Sequence, residues 1–186
     1  MIRLVALAVG AVIAVTGLRA QSALSDWTVG LRRIGTFEFG ASISDMRQRL
    51  GDPAAALIQA LNQDHQLPRE PDDAGCAYLM TTRVPRGIGL MFQHGRFVRA
   101  DVWQPGIRTA NGLQVGDTEL RVLEIHGSRV EVTPHHYGPP GAHYLILRPT
   151  DAIDRDFQIL FETDGREVTQ FRAGFRTAVA QVEGCA

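Results

Sequence analysis

The chain has 186 residues, of which 19 are basic and 20 are acidic, and its formal net charge at pH 7 is −1. This balance excludes the positive excess that binds nucleic acids and anionic membrane surfaces, so neither is a predicted partner. All of the basic residues are arginines, which excludes catalysis through a lysine Schiff base.

The N-terminus has the pattern of an export signal. After the basic start Met1–Arg3, an uncharged apolar run covers Leu4–Leu18, which is shorter than the about 20 residues of a membrane-spanning helix. Small residues follow, and cleavage is expected after Ala20 or Ala23. The sequence therefore predicts a signal peptide at residues 1–20, a periplasmic or secreted mature chain, and no stable membrane span after cleavage. An uncleaved anchor is the alternative.

The first half of the mature chain has the pattern of two helices followed by three strands. Ser42 or Ser44 can cap a helix that ends near Leu50. An Asp-Pro step can then start a second helix over 54–61, where apolar residues recur at i, i+3, i+4 and i+7. A polar loop interrupted by proline covers 63–75. The strands predicted after it cover residues 77–81, 88–93 and 96–103.

The second half has the pattern of one helix and four strands, after a linker at 105–112. Asp117 can cap the helix, which carries apolar residues at helical spacing. Asp164-Gly165 is a strong signal for a hairpin turn. The predicted strands cover residues 129–137, 143–148, 158–162 and 167–173.

Two pairs of segments indicate an internal repeat. Residues 40–51 and 116–127 are both bounded by glycines at the same spacing, and residues 90–102 align with 160–172 without a gap. Internal repeats determine architecture before any single motif does.

The repeat predicts an α+β fold made of two tandem units. Each unit has one or two helices followed by antiparallel strands, with the helices packed on one face of the sheet. Unit one is predicted at residues 21–104 and unit two at residues 105–186, and together they form one compact domain.

This order of elements resembles a known fold. A glycine, a short helix that ends at a glycine, an aromatic strand and a strand–Gly–strand hairpin are similar to the β-lactamase-inhibitor-protein-like fold. They are also similar to the small outer-membrane assembly lipoproteins, which have this fold as a single unit. The resemblance covers residues 35–184 and implies a binding module. The chain departs from the lipoproteins because it has no cysteine near the cleavage region, and from the inhibitor because one cysteine pair spans both units.

The two cysteines of the chain are Cys76 and Cys185. An even, minimal count in an exported protein predicts one disulfide. A redox pair is disfavoured because the spacing is not Cys-x-x-Cys. The predicted bond therefore joins the C-terminus to unit one as a structural cross-link.

The predicted strand at 96–103 carries the candidate binding residues. Because side chains alternate along a strand, Val98, Ala100 and Val102 are expected on the helix-covered face. The residues expected on the opposite, uncovered face are Phe97, Arg99, Asp101 and Trp103. Aromatic residues and arginine in this position indicate an interaction surface, which His136 and Tyr137 are expected to flank. The alternative is that Phe97 and Trp103 pack beneath a loop.

Catalytic and metal-binding signals are weak. The sequence has no nucleophile elbow, no zinc-protease helix motif and no phosphate-binding loop. His135, His136 and His143 lie near one turn, but their spacing matches no zinc signature, so no metal and no cofactor is predicted.

These observations predict a non-catalytic binding module. It would recognise a protein or an envelope glycan through the uncovered sheet face. One alternative is a small periplasmic hydrolase that uses His126, His136 or Asp101 as acid or base. Another alternative is a purely structural envelope component.

Overall fold

A computed structural model describes residues 24–58 and 75–185 of the chain. The predicted signal peptide and nearly all of the predicted loop at 63–75 lie outside the described residues. Within the two described ranges, no helix combines the length and the apolar character needed to cross a membrane.

The fold is α+β and is built around an antiparallel sheet. The strands are β1 (Arg33–Ile34), β2 (Phe37–Glu38), β3 (Ala56–Ile58), β4 (Cys76–Met80), β5 (Ile88–Gln93), β6 (Arg96–Val102), β7 (Val130–Pro134), β8 (His143–Leu147), β9 (Phe157–Thr163) and β10 (Val168–Phe175). The helices are α1 (Ile43–Leu50), α2 (Glu119–His126) and α3 (Arg176–Val179), and short 3-10 turns lie at Gly127–Arg129 and Ala152–Asp154. The predicted α+β class with antiparallel strands is therefore confirmed.

Eight strands form one continuous sheet in the order β3-β4-β5-β6-β10-β9-β8-β7. The first half of the chain supplies β3 to β6 and the second half supplies β7 to β10. The two halves meet where β6 pairs with β10, with Asp101 opposite Arg172 and Ala100 opposite Ala173. Strands β1 and β2 form a separate two-stranded hairpin.

Short-range capping interactions set the ends of α1 and α2. The Ser42 hydroxyl accepts a hydrogen bond from the N–H of Asp45 at 3.1 Å, and Gly51 ends α1 in the left-handed conformation with φ 66°. Thr118 is the cap of α2, so the prediction of Asp117 is wrong by one residue. The Asp117 carboxylate instead accepts a backbone N–H of the preceding turn at 2.9 Å.

The predicted second helix of the first half is wrong where the structure describes it. Ala56–Ile58 form the edge strand β3, in which Leu57 lies opposite Leu79 of β4. The apolar spacing suits a helix, but β4 presents a row of N–H and C=O groups to any neighbouring segment. Pairing with β4 outweighs a helix preference of about 0.5 kcal/mol per residue. The rest of the predicted helix, at 59–61, lies outside the described residues.

A β-bulge interrupts each of the hairpins β5–β6 and β9–β10. Val98 is the extra residue in β6 and Thr169 is the extra residue in β10. An extra residue shifts the alternation of side chains between the two faces of a strand. Phe97 therefore contributes to the same hydrophobic core as Ala100, although the two residues are three positions apart.

The first face of the sheet carries the main hydrophobic core. Helices α1 and α2 pack against it through Met46 and Val122, and the β1–β2 hairpin adds Ile34 and Phe37. The helices α1 and α2 thus share one face, as the sequence pattern predicts.

The second face of the sheet is covered by the end of the chain. Residues 176–185, termed the C-terminal strap, follow β10 and begin with α3, which contacts β10, β9 and β6. Within the strap, Ala178 packs with Met91 and Val98. The prediction that this face is uncovered is therefore wrong where the C-terminal strap packs on it, over β6, β9 and β10.

Candidate functional site on the second sheet face

The six predicted binding residues do not form one open surface. Phe97 is 0% exposed in the main core, because the bulge at Val98 places it on the first face. Arg99 is 3% exposed beneath the strap. Both placements contradict the predicted exposure of these residues. Of the other four, Asp101 is half-buried, whereas the exposed residues are Trp103, His136 and Tyr137.

Arg99 binds the strap from the sheet side. Its Nη1 donates to the carbonyl oxygens of Ala178 at 2.9 Å and Gln181 at 2.7 Å. Its Nε donates to Asp101 Oδ2 at 3.0 Å, and its Nη2 donates to the Tyr78 hydroxyl at 2.8 Å. Because each guanidinium nitrogen already has an acceptor, Arg99 serves the fold rather than a partner.

The protonation states of this cluster are fixed by burial and by the ion pair. Burial lowers the pKa of Arg99, but the charges and hydrogen bonds of Asp101 and Tyr78 together outweigh burial, and the net shift of the arginine pKa is upward. The pKa of the Tyr78 hydroxyl is raised, first by burial and then by the nearby Asp101. Both groups stay protonated at neutral pH, so neither is poised for acid–base catalysis.

Arg172 is a second buried arginine that binds the strap. Its Nε donates to the carbonyl oxygen of Val179 at 2.6 Å, and its Nη1 forms an ion pair with Glu162. Glu162 also accepts from Gln170 Nε2 at 2.5 Å and lies 2.9 Å from His135 Nε2. Burial raises the pKa of Glu162, but the charge of Arg172 together with the hydrogen bonds from Gln170, His135 and Arg172 outweighs burial, and the net shift is downward.

His135 has both ring nitrogens in hydrogen bonds. Its Nδ1 accepts the backbone N–H of Tyr137 at 3.1 Å, so in the neutral ring Nε2 carries the proton that Glu162 accepts. The ring stacks on Tyr144 with a centroid distance of 4.3 Å. This arrangement leaves His135 no lone pair with which to take a proton from a substrate.

Sequence reasoning did not identify the Arg172 cluster. The available signal was a carboxylate and a guanidinium, Glu162 and Arg172, inside segments predicted as strands. Charged residues are almost never buried without a partner, so two of them in core strands indicate an ion pair.

The predicted disulfide is present and fastens the end of the strap. Cys76 of β4 is bonded to Cys185, with the two Cα atoms 5.4 Å apart. On the other side of the strap, the Tyr137 hydroxyl donates to Glu183 Oε1 at 2.5 Å. The strap is therefore attached at both sides as well as to the sheet beneath it.

Trp103 lies on the part of the second face beyond the strap anchors. It follows Val102, whose partner in β10 is Phe171, so Trp103 is level with Gln170. Its ring lies over Gly89, where an added Cβ would be 3.1 Å from the indole. Gly89 therefore provides the space in which the indole rests on the sheet.

His136 and Tyr137 lie across the sheet from Trp103. Their rings meet edge-on, with the ring centroids 4.5 Å apart. Both residues belong to the loop that follows His135, whose own ring stacks on Tyr144 of β8. Strands β6 and β8 are three strand spacings apart, which is about 14 Å. The three exposed residues, Trp103, His136 and Tyr137, are termed the aromatic rim.

Two cavities lie away from the aromatic rim. One, of about 510 Å³, is beside the β1–β2 hairpin, with Trp27 and Phe37 among its lining residues. The other, of about 180 Å³, lies at the end of α2 and includes His126 and Arg129. His126, a candidate base of the hydrolase alternative, thus lines a cavity, but no Asp or Glu is among the residues that line it.

The histidines do not assemble into a metal site in the described part of the chain. Within residues 24–58 and 75–185, no three side chains of His, Cys, Asp or Glu come close enough to hold a metal ion. His143 pairs with Glu119 at 2.9 Å, on the helix α2.

Comparison with known proteins adds little to these observations. No protein-family model and no curated protein matches the chain. A solved structure with a weak likeness is that of an extracellular protein containing a SCP domain from Bacillus anthracis str. Ames. The match covers 74% of this chain and 44% of that chain, with a TM-score of 0.44 and 11% sequence identity. At these values the likeness carries neither fold nor function to this chain.

Proposed function

We propose that the mature chain is a secreted or periplasmic, non-catalytic binding module that recognises a protein or an envelope glycan through the aromatic rim. The observation that carries this proposal is the exposure of two large aromatic side chains on the side of the sheet on which the strap packs. Trp103 is 47% exposed and Tyr137 is 62% exposed. Tryptophan and tyrosine are enriched among the residues that dominate binding energy.

Both aromatic anchors have internal contacts that fix them before a partner binds. The Tyr137 hydroxyl is bonded to Glu183, and the backbone N–H of Trp103 donates to the carbonyl oxygen of Gly87 at 3.0 Å. The indole also rests on Gly89. Side chains that are already ordered lose less entropy on binding, which favours affinity.

The contacts of the candidate acids and bases favour binding over hydrolysis. A catalytic base needs a nucleophile within hydrogen-bond reach and a third group that orients it. Asp101 is already paired with Arg99 and Tyr78, and the cavity beside His126 has no carboxylate in its lining. These contacts support a binding role for the chain.

The proposal includes an architecture of two duplicated units of the β-lactamase-inhibitor-protein-like type. In its support, the Gly40 N–H donates to the carbonyl of Phe97 before α1, and the Gly116 N–H donates to that of Val168 before α2. A β-bulge follows at the next residue of both strands. Membership of that fold family stays a prediction.

Under this proposal, the same contacts favour a different alignment of the two hairpins. The gap-free alignment pairs Phe97 with Glu167, whereas the shared hydrogen bonds make Phe97 correspond to Val168. A shift of one residue exchanges the two faces of a strand, so the alignment compared side chains on opposite faces.

A location outside the cytoplasm accounts for the disulfide. Disulfides persist in the periplasm and outside the cell, whereas cytoplasmic thiols are kept reduced. The Cys76–Cys185 bond and the signal-like N-terminal sequence together support export.

Photo-crosslinking in cells that export the chain tests the aromatic rim directly. A benzophenone amino acid replaces Trp103 in one variant and Tyr137 in another. A third variant carries it at Leu120, which is 63% exposed on α2 and serves as the matched control. We expect adducts from the two rim positions and none from Leu120, because only the rim lies against the partner.

The nature of the partner follows from two further readouts. An adduct whose proteolytic fragments include peptides foreign to the chain, detected by mass spectrometry, contains a protein, whereas retention of the wild-type chain on insoluble envelope glycan, reduced by Trp103→Ala, identifies a glycan. Adducts of equal yield from Leu120, or neither adducts nor retention, would contradict a binding role of the rim.

A further inference from the structure

The smaller cavity has an apolar floor and a basic rim. It measures about 180 Å³ and lies where the end of α2 meets the segments around Val29 and Ala110. Its floor includes Leu147 and Ile159, both buried and both part of the main core. This cavity belongs to the first side of the sheet, so it is separate from the aromatic rim.

The ring of His126 supplies a polar donor in the wall of this cavity. His126 Nδ1 lies 3.0 Å from Arg129 Nη2. A guanidinium can only donate, so Nδ1 accepts and the proton of the neutral ring is on Nε2. Burial, together with the charge of Arg129, lowers the pKa of His126, which keeps the ring neutral at neutral pH. Among the described residues, no hydrogen bond occupies its Nε2–H.

The charged groups in the lining are arginines. Arg148 donates from Nε to Glu131 at 2.8 Å and is therefore already paired. The charge of Arg129 has no carboxylate partner among the described residues. The C-terminal end of α2 carries a negative partial charge of about half a unit, which the full positive charge of Arg129 exceeds.

We infer that this cavity binds a small monocarboxylic acid with a compact apolar body. Arg129, held in place by its hydrogen bond to His126 Nδ1, would bind the carboxylate, and the buried floor around Ile159 would contact the apolar part. A closed apolar cavity of about 150 Å³ accommodates benzene, so the volume here suits an acid of the size of benzoate. The guanidinium nitrogens of Arg129 that do not bond His126 can form the strong, charge-assisted hydrogen bonds that a carboxylate accepts.

Titration of the ¹⁵N-labelled mature chain with benzoate tests this inference by NMR. We expect saturable shifts of the amide signals of Ala110 and Asn111 and of the ring signals of His126, with a Kd of about 1 mM. Benzyl alcohol, which has nearly the same size and no charge, should bind about tenfold more weakly because it lacks the carboxylate. This comparison uses the wild-type chain and needs no variant to fold.

A pair of variants separates the proposed site from general charge effects. Arg129→Gln should weaken benzoate binding about tenfold, because one charge-assisted hydrogen bond is lost. The matched control is Arg121→Gln, which removes an exposed arginine of α2 paired with Asp117 and should leave the Kd unchanged. The inference is overturned if benzoate gives no saturable shifts up to about 20 mM, a concentration that detects even very weak binding. It is also overturned if benzyl alcohol binds equally well, or if Arg129→Gln binds like the wild type.

Discussion

Replacement of Arg99 by methionine tests whether the buried arginine closes the second face of the sheet. The substitution removes the arginine donor from the carbonyls of Ala178 and Gln181, of which Ala178 keeps the backbone N–H of Gln181, and it leaves the Asp101 carboxylate without its cation. Removal of one partner from a buried ion pair costs about 3–5 kcal/mol. Because the Asp101 side chain is 18% exposed, water recovers part of this loss, and we expect the free energy of unfolding to fall by about 3 kcal/mol.

Urea unfolding at neutral pH, followed by tryptophan fluorescence, measures this change. The matched control is Arg148→Met, because Arg148 pairs with Glu131 on the exposed surface, and such pairs contribute about 0.5 kcal/mol. The double variant Arg99→Met, Asp101→Asn should have a free energy of unfolding about 1 kcal/mol higher than Arg99→Met alone, because no unpaired carboxylate then remains. If Arg99→Met costs no more than Arg148→Met, the buried arginine does not stabilise the strap and the reasoning is refuted.

Three further perturbations have defined outcomes. Cys185→Ser opens a loop with a sequence separation of 109 and should lower the free energy of unfolding by about 4 kcal/mol, measured in guanidinium against the oxidised wild type. Gly174→Ala should lower the free energy of unfolding by more than about 2 kcal/mol, because the added Cβ would overlap a carbonyl oxygen of β6. Gly51→Ala is the control, since the space around its added Cβ is open, and it should lower the free energy of unfolding by about 1 kcal/mol. Thermal melting measures both changes. The lowered pKa of Glu162 contributes stability above its ordinary value of 4.5, and this contribution is lost as the pH falls through the folded-state pKa. In Glu162→Gln, the free energy of unfolding measured as a function of pH should therefore decline less steeply below pH 4.5 than in the wild type. An equally steep decline in the variant would count against a stabilising Glu162–Arg172 pair.

Local chemistry made some features of the fold predictable from the sequence. Ser42 and Gly51 bound α1 as predicted, because cap hydrogen bonds depend on residues a few positions apart. The Cys76–Cys185 bond followed from the count of cysteines in a chain predicted to be exported. In each case the deciding interaction was encoded by residue type alone.

Long-range packing decided the features that the sequence did not predict. Residues 56–58 have helical spacing but pair with β4, and Phe97 changes face because a bulge at Val98 interrupts strict alternation. No periodic pattern indicated that the C-terminal strap would pack on the sheet and bury Arg99. Of the candidate site, the exposure of Trp103 and Tyr137 agreed with the prediction, since both lie at the ends of strands or in loops.

The central pairing of β6 with β10 has a consequence for how the chain reaches its native state. Residues 99–102 cannot find their partners at 171–174 until the chain has been synthesised at least as far as residue 174. Contacts between such distant positions form slowly, and until then the edge of β6 stays open to association with other chains. Protection of that edge by chaperones, and the timing of thiol oxidation at Cys76, therefore matter more for this protein than for one whose halves mature separately.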